Sequence, residues 1–334
     1  MNQCLAALLL FALPCFLAAA QTAPAGTMSP VARPVSGTEA WGAQHRGLFT
    51  VKVSGQGPAV ILIPGLSSSG DTWNGTVDHL KGHYQCHVLN LAGFAGVPAW
   101  SDVDKGNFLH AVEDELAVYI QSNKLVSPVI IGHSLGGTLT LEFAERYADL
   151  PGRLVIVDSL PFLSGVWLQA GSVKEADPIA TNMKLQIKGE SHDQYLQFVK
   201  SGASTRPMVT SDADYALVNE WAAASDQSTT AEALYELLTT DARADLGRIR
   251  GDVLVLATWA GFPGATSQQI ESVYRGQYTG TKKLQLVMAD NERHFIMLDN
   301  PGWFFSQIDP FLAAPAGGST TGKLSSPPPV TTAH

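Results

Sequence analysis

The chain has 334 residues, 45% of them apolar and 15% charged, a balance that supports one large buried core. Its net charge of −9 excludes a surface built to bind nucleic acid and gives no attraction to anionic membranes. Three cysteines are too few for a disulfide framework.

Residues 1–20 carry no charged side chain and end in Ala18-Ala19-Ala20, the pattern of a cleavable export signal, which predicts a secreted or periplasmic protein. The run is short for a membrane anchor, and no stable membrane insertion is expected. Cys4 and Cys15 leave with such a signal, so Cys86 alone remains and packs as a small hydrophobe. A flexible leader over 21–40 follows. Ala59–Ile63 is the first predicted strand, closed by Pro64-Gly65, and His87–Asn90 is the second. A helix is expected from Phe108 to Gln121. Pro128–Gly132 is the third strand and Leu135–Ala148 the next helix; Arg153–Asp158, Asp252–Thr258 and Leu284–Ala289 complete the strands. Near-continuous apolar strands separated by helices indicate an α/β fold, a mostly parallel sheet covered on both faces.

Residues 161–246 break this rhythm with helical patterns only, such as Tyr195-Leu196-Phe198-Val199 and Leu234-Tyr235-Leu237-Leu238. A segment that long is no plain loop, and an inserted helical cap is expected there. The core then comprises 41–160 and 247–313. The tail over 314–334 is rich in Pro, Ser, Thr and Gly, buries too little surface to order itself, and is expected to be disordered.

Gly132-His133-Ser134-Leu135-Gly136-Gly137 lies between a strand and a helix. A sharp turn there lifts the Ser134 hydroxyl above the sheet, where it can act as a nucleophile. A hydroxyl needs a base, and His294, just after the last strand, holds the position a base takes in a Ser…acid…His order. His133 beside the serine is expected to pack or hydrogen-bond locally. The developing oxyanion requires two N–H donors; Leu135, at a helix N-terminus, and Leu66, in the turn after the first strand, are the candidates.

Ile63-Pro64-Gly65-Leu66, Leu89-Asn90-Leu91-Ala92-Gly93-Phe94-Ala95-Gly96, the Ser134 turn and Arg293-His294-Phe295 together resemble the signposts of the α/β-hydrolase superfamily, in particular its small capped bacterial esterases and lipase-like serine hydrolases. The resemblance spans about Val51 to Leu312. It implies the roles just given to Ser134, His294, Leu66 and Leu135, and no cofactor. Two departures stand out. Asn90 replaces a frequent Asp, and the segment after Val253–Thr258 (Trp259 to Gly264) has no acid where the superfamily usually carries one. Some members place the acid one strand earlier, and there this chain has Asp158. Asp158 is therefore the expected orienter of His294, with Asp290 or a backbone carbonyl as the alternatives.

A serine nucleophile attacks acyl carbons, so a small-molecule ester is the expected substrate, with lactones or amides as alternatives and a non-catalytic binding protein as a further one. An aminopeptidase would need carboxylates for the substrate amine, for which Glu175, Glu190 and Asp193 are available. Phe94, Phe162, Trp167 and Trp259, with Trp100, Trp221 and Phe262, fall in segments that could line an apolar pocket. No metal-ligand spacing and no nucleotide-binding glycine pattern is visible, and the protein is expected to be a monomer or homodimer.

Overall fold

A computed structural model describes residues 47–262 and 264–314. The segments expected to form an export signal, a leader and a disordered tail beyond Ala314 lie outside the described residues. Seven strands form one sheet: β1 (Phe49–Ser54), β2 (Ala59–Ile63), β3 (Gln85–Leu91), β4 (Val129–His133), β5 (Arg153–Val157), β6 (Asp252–Thr258) and β7 (Leu284–Ala289), in the order β1-β3-β2-β4-β5-β6-β7. All pairs from β3 to β7 are parallel, and β1 runs antiparallel against β3 with Phe49 opposite Leu91.

The sheet is covered on both faces, and the twofold alternation along each strand divides its side chains between two cores. Ile61, Ile63, Leu154 and Ile156 pack with α2 (Phe108–Ser122), α3 (Leu135–Arg146) and α9 (Ser267–Gln277) through Leu116, Leu139 and Ile270. Val60, Leu62, Val155 and Val157 pack against α1 (Asn74–Leu80) and α11 (Pro301–Ala313) through Leu80, Phe304 and Ile308. Every residue of β5 is buried, as a central parallel strand requires. The edge strand β1 was not legible as a strand in the sequence, because Thr50, Lys52 and Ser54 interrupt its apolar run. It pairs on one side only, and its burial falls off toward Ser54. Cys86 is buried and free, and burial pushes its thiol up to about 11.

Between β5 and β6 come α4 (Ser164–Trp167), α5 (Val173–Gly189), α6 (His192–Lys200), α7 (Asp212–Ala223) and α8 (Gln227–Thr239). Their anchors are loops at the carboxyl ends of strands. Ser67 after β2 meets Thr230 at 2.9 Å. Past β3, Gly96 N–H donates to the Ala224 carbonyl and Asp226 N–H to that of Gly93. After β7, Phe295 N–H donates to the Met208 carbonyl and Arg293 to that of Val209. Lys188 of α5 bridges Asp104 and Glu232 of α8, each at 2.7 Å. The insertion thus lies on the edge of the sheet where the strands end. Among the described residues, no helix is long and apolar enough to cross a membrane.

His87 on β3 is 3% exposed; its Nε2–H donates to Gln85 Oε1 and its Nδ1 accepts from the Tyr119 hydroxyl. Burial holds it neutral by lowering its pKa from 6.5 to about 4. Its contribution is then complete above pH 6.5 and is lost as the pH falls toward 4. We expect stability in urea to drop between pH 7 and 4.5 by roughly 2–3 kcal/mol more in the wild type than in His87→Gln. An identical pH dependence in the two proteins would rule this out.

Candidate active site

Parallel register sets the ends of four adjacent strands side by side. His133 at the end of β4 pairs with Val157 at the end of β5, Val157 with Leu256, and Thr258 with Ala289 of β7. Ser134 and Asp158 therefore leave the same edge of the sheet one strand apart, and His294 lies five residues past the end of β7.

Ser134 adopts φ 53° and ψ −122°, a conformation rare for a residue with a side chain. Its N–H still donates to the Val157 carbonyl at 2.9 Å, so the ladder of the sheet continues into the turn. Two glycines make the turn feasible. A Cβ on Gly132 would sit 2.1 Å from the Gly136 carbonyl oxygen, and one on Gly136 would sit 2.5 Å from that of Ile63. Helix α3 thus starts directly against the end of β2. Leu135 N–H is the first amide of α3 and has no acceptor within the helix. The turn after β2 passes close by: a Cβ on Gly65, the residue before Leu66, would lie 3.1 Å from Ser134 Cβ.

Asp158 also has a positive φ, 45°, and its N–H donates to the Leu256 carbonyl at 2.7 Å. Its carboxylate is 8% exposed and fully engaged. Oδ2 lies 2.6 Å from His294 Nδ1, while Oδ1 accepts from the Tyr274 hydroxyl at 2.6 Å and from Thr258 N–H at 3.2 Å. Tyr274 on α9 is wholly buried, and burial together with the Asp158 charge pushes its phenol well above the usual range, so it donates and never competes as an anion. The structure brings Asp158 and His294 together; Asp290 is exposed at the end of β7. Tyr274 and Thr258 were missed by the sequence reading, since a tyrosine on an amphipathic helix and a threonine closing a strand carry no local sign of a distant carboxylate.

The loop bearing His294 is fastened at several points. Thr258 Oγ1 donates to the Glu292 carbonyl, and Arg293 N–H donates to Asp299 Oδ2 at 2.7 Å. Burial pushes the Glu292 carboxyl up, but hydrogen bonds from Asn300 and from backbone amides outweigh it and keep the group below its ordinary value. His133 is fully buried, and burial drives its pKa far down, so the ring is neutral. Its hydrogen bond is not local: Nε2–H donates to the His294 carbonyl at 3.0 Å, and the two rings lie 4.5 Å apart. The residue beside Ser134 thereby holds the loop that carries His294. Asn90 is structural, its Oδ1 accepting from Gly70 N–H at 3.0 Å.

The aromatic candidates scatter. Phe94 is wholly buried against Phe108, and Phe162 is wholly buried under the Arg243 guanidinium, so both serve packing. Trp221 joins the α1 and α11 side of the core, while Trp100, Trp259 and Phe262 are partly buried against the other side. Trp167 is 46% exposed on the insertion. Among the described residues, the side chains grouped as metal ligands could be are His110, Glu113 and Glu142, on α2 and α3 and apart from Ser134.

The profile described as "Alpha/beta hydrolase family" matches residues 60–307. An N-formylmaleamate deformylase of Pseudomonas putida is 25% identical over 265 residues, covering 79% of this chain and 92% of the relative. A pimeloyl-(acyl-carrier protein) methyl ester esterase of Vibrio vulnificus is 30% identical over 111 residues; that match covers 33% of this chain and only 40% of the esterase's length. Among solved structures, the enol-lactonase of Burkholderia xenovorans superposes with a TM-score of 0.64 at 17% identity, covering 80% of this chain and 96% of that one.

The contact at Gly132 generates a direct expectation. A methyl group driven into the Gly136 backbone cannot be relieved by a side-chain rotation, so Gly132→Ala should lower Tm by roughly 5–10 °C. A thermal melt within 1 °C or so of wild type would show that strand and helix do not approach as described.

Proposed function

The chain belongs to the alpha/beta hydrolase family, and from that premise we propose that it is a serine hydrolase cleaving carboxylic esters with small to medium, apolar acyl or aryl groups. The observation that carries this reading is the 2.6 Å contact between His294 Nδ1 and Asp158 Oδ2, at the edge of the sheet from which Ser134 projects.

With Nδ1–H donating to the carboxylate, Nε2 of His294 is left as the basic nitrogen that takes the Ser134 proton. Ser134 Oγ attacks the acyl carbon, and the negative oxygen is received by the N–H groups of Leu135 and Leu66. Protonated His294 then donates to the departing alcohol. Water, deprotonated by the same nitrogen, cleaves the acyl-enzyme and restores Ser134. His133 cannot replace His294 in these steps, because its ring is sealed from solvent and its Nε2–H is committed to a carbonyl. The chemistry requires no cofactor. Trp259, which follows β6, and Trp167 of the insertion are the aromatic side chains we propose meet the apolar group, because neither is fully buried. Export rests on residues 1–20 alone, and with it we propose a site of action outside the cytoplasm.

A second reading replaces the ester by an N-acyl or lactone carbonyl. It is favoured by the deformylase match, which covers 79% of the chain where the esterase match covers 33%. The same nucleophile serves both.

A fluorophosphonate should label Ser134 in the folded wild type and leave Ser134→Ala untouched. With p-nitrophenyl esters, Asp158→Asn should lower kcat roughly 10³- to 10⁴-fold with an unchanged melting curve, and Asp290→Asn should stay within about twofold of wild type. A folded wild type that resists labelling would point to a non-catalytic binding protein. Full activity in Asp158→Asn would refute the assigned acid, and turnover confined to N-acyl substrates or lactones in the same panel would favour the second reading.

A further inference from the structure

On the outer face formed by α2 and α3, one ligand atom each of His110, Glu113 and Glu142 lie within 4.8 Å of one another. The carboxyl oxygens outnumber the donors around them. Arg146 is the guanidinium present, and it is already committed: Nη1 to Glu113 Oε2 and Nη2 to Asp114 Oδ1 at 2.7 Å. Glu113 is 1% exposed, and its second oxygen, Oε1, is buried without a partner. Oε2 of Glu142 and Oε1 of the neighbouring Glu145 are in the same condition. Buried carboxyl oxygens without a donor are costly, and a cation is one way to satisfy those of Glu113 and Glu142.

The imidazole is prepared for that role. His110 Nδ1 lies 3.0 Å from Asn107 Oδ1, an acceptor, so Nδ1–H donates there and Nε2 is the nitrogen left for an ion. Nε2 is the nitrogen that faces Glu142, 3.9 Å from its Oε1. A ligating histidine whose other N–H is held by an outer oxygen is the usual arrangement at metal sites. From these observations we propose that His110, Glu113 and Glu142 bind a divalent transition-metal ion of the zinc type, which clamps α2 to α3. One nitrogen and two carboxylate oxygens suit a borderline ion better than magnesium or calcium, which take oxygen-only shells. Three protein ligands leave a position for water. Ligand atoms around zinc lie closer together than 4.8 Å, at about 3–3.5 Å, so the half-exposed His110 ring moves inward on binding. Glu142 stands eight residues past Ser134, about 12 Å along α3, so the ion takes no part in the chemistry of the serine. No metal-ligand spacing is visible in the sequence, because the ligands sit on two helices with 28 residues between Glu113 and Glu142.

The test uses the full chain, stripped with EDTA and titrated with zinc chloride by calorimetry near pH 7. One zinc per chain is expected, with a higher Tm in its presence. Glu142→Gln and His110→Ala, both at partly exposed positions that tolerate change, should each weaken binding at least tenfold. His79→Ala, which removes the other surface histidine paired with a carboxylate, Asp309, should leave it unaltered. No zinc bound by the wild type, or equal binding in Glu142→Gln and His110→Ala, would overturn the proposal. So would Glu142→Gln raising Tm while the wild type ignores zinc, the mark of two carboxylates sharing a proton. Calorimetry and melting do not depend on hydrolysis, so either outcome leaves the reading of Ser134 to its own experiment.

Discussion

A carboxylate that accepts from Nδ1 of an imidazole holds the ring in one tautomer and leaves Nε2 as the basic nitrogen, and Asp158 sits on His294 in this way. Asp158 and His294 are 136 residues apart in the chain and 2.6 Å apart in the fold. Most of what surrounds them keeps that distance. Tyr274 and Thr258 fix one oxygen of Asp158 so that the other faces the ring. On the far side, Thr258, Asp299 and His133 hold the backbone around His294. Thr258 serves both sides, its amide on the carboxylate and its hydroxyl on the Glu292 carbonyl. A short charge-assisted contact in a site that is 8% exposed at the carboxylate is stronger than the same pair in water, and it is more sensitive to misplacement.

The parallel sheet makes such a constellation possible at low entropic cost. Register aligns the carboxyl ends of β4, β5, β6 and β7, so that turns from neighbouring strands begin about 5 Å apart. The positive φ values at Ser134 and Asp158 fall where a strand stops and a side chain must turn out of the sheet. Strain at these two points is offset by ladder hydrogen bonds that continue through both residues, to Val157 and to Leu256. The helices inserted between β5 and β6 are fastened to this same edge through Ser67, Gly93, Gly96 and the His294 loop, so they sit where a bound molecule would be shielded from water.

The sheet was readable because parallel strands carry near-continuous apolar runs, and six of the seven contain one despite His87 and Asn90 in β3 and Gln285 in β7. β1 does not: as an edge strand it mixes Thr50 and Lys52 into its pattern. Ser134 was legible because a strand, a glycine-flanked serine and a helix are contiguous in sequence. The position of Asp158 was legible only through the resemblance, which implies an acid after β5 in members that lack one after β6. Its anchoring by Tyr274 and the link from His133 to the His294 carbonyl were not legible, since both are long-range contacts between residues that pack equally well in many folds. Aromatic side chains were the least informative class: Phe94 and Phe162 read as candidate pocket walls and are completely buried.

The hydrogen bond between Asp158 and His294 has a direct spectroscopic signature. At a pH low enough to protonate His294, the imidazolium Nδ1 proton should give a far-downfield, slowly exchanging resonance in the proton NMR spectrum. The account predicts that this resonance persists in Ser134→Ala and disappears in both Asp158→Asn and His294→Gln. A resonance that survives Asp158→Asn in folded protein would contradict the account, because some other group would then be holding the imidazole.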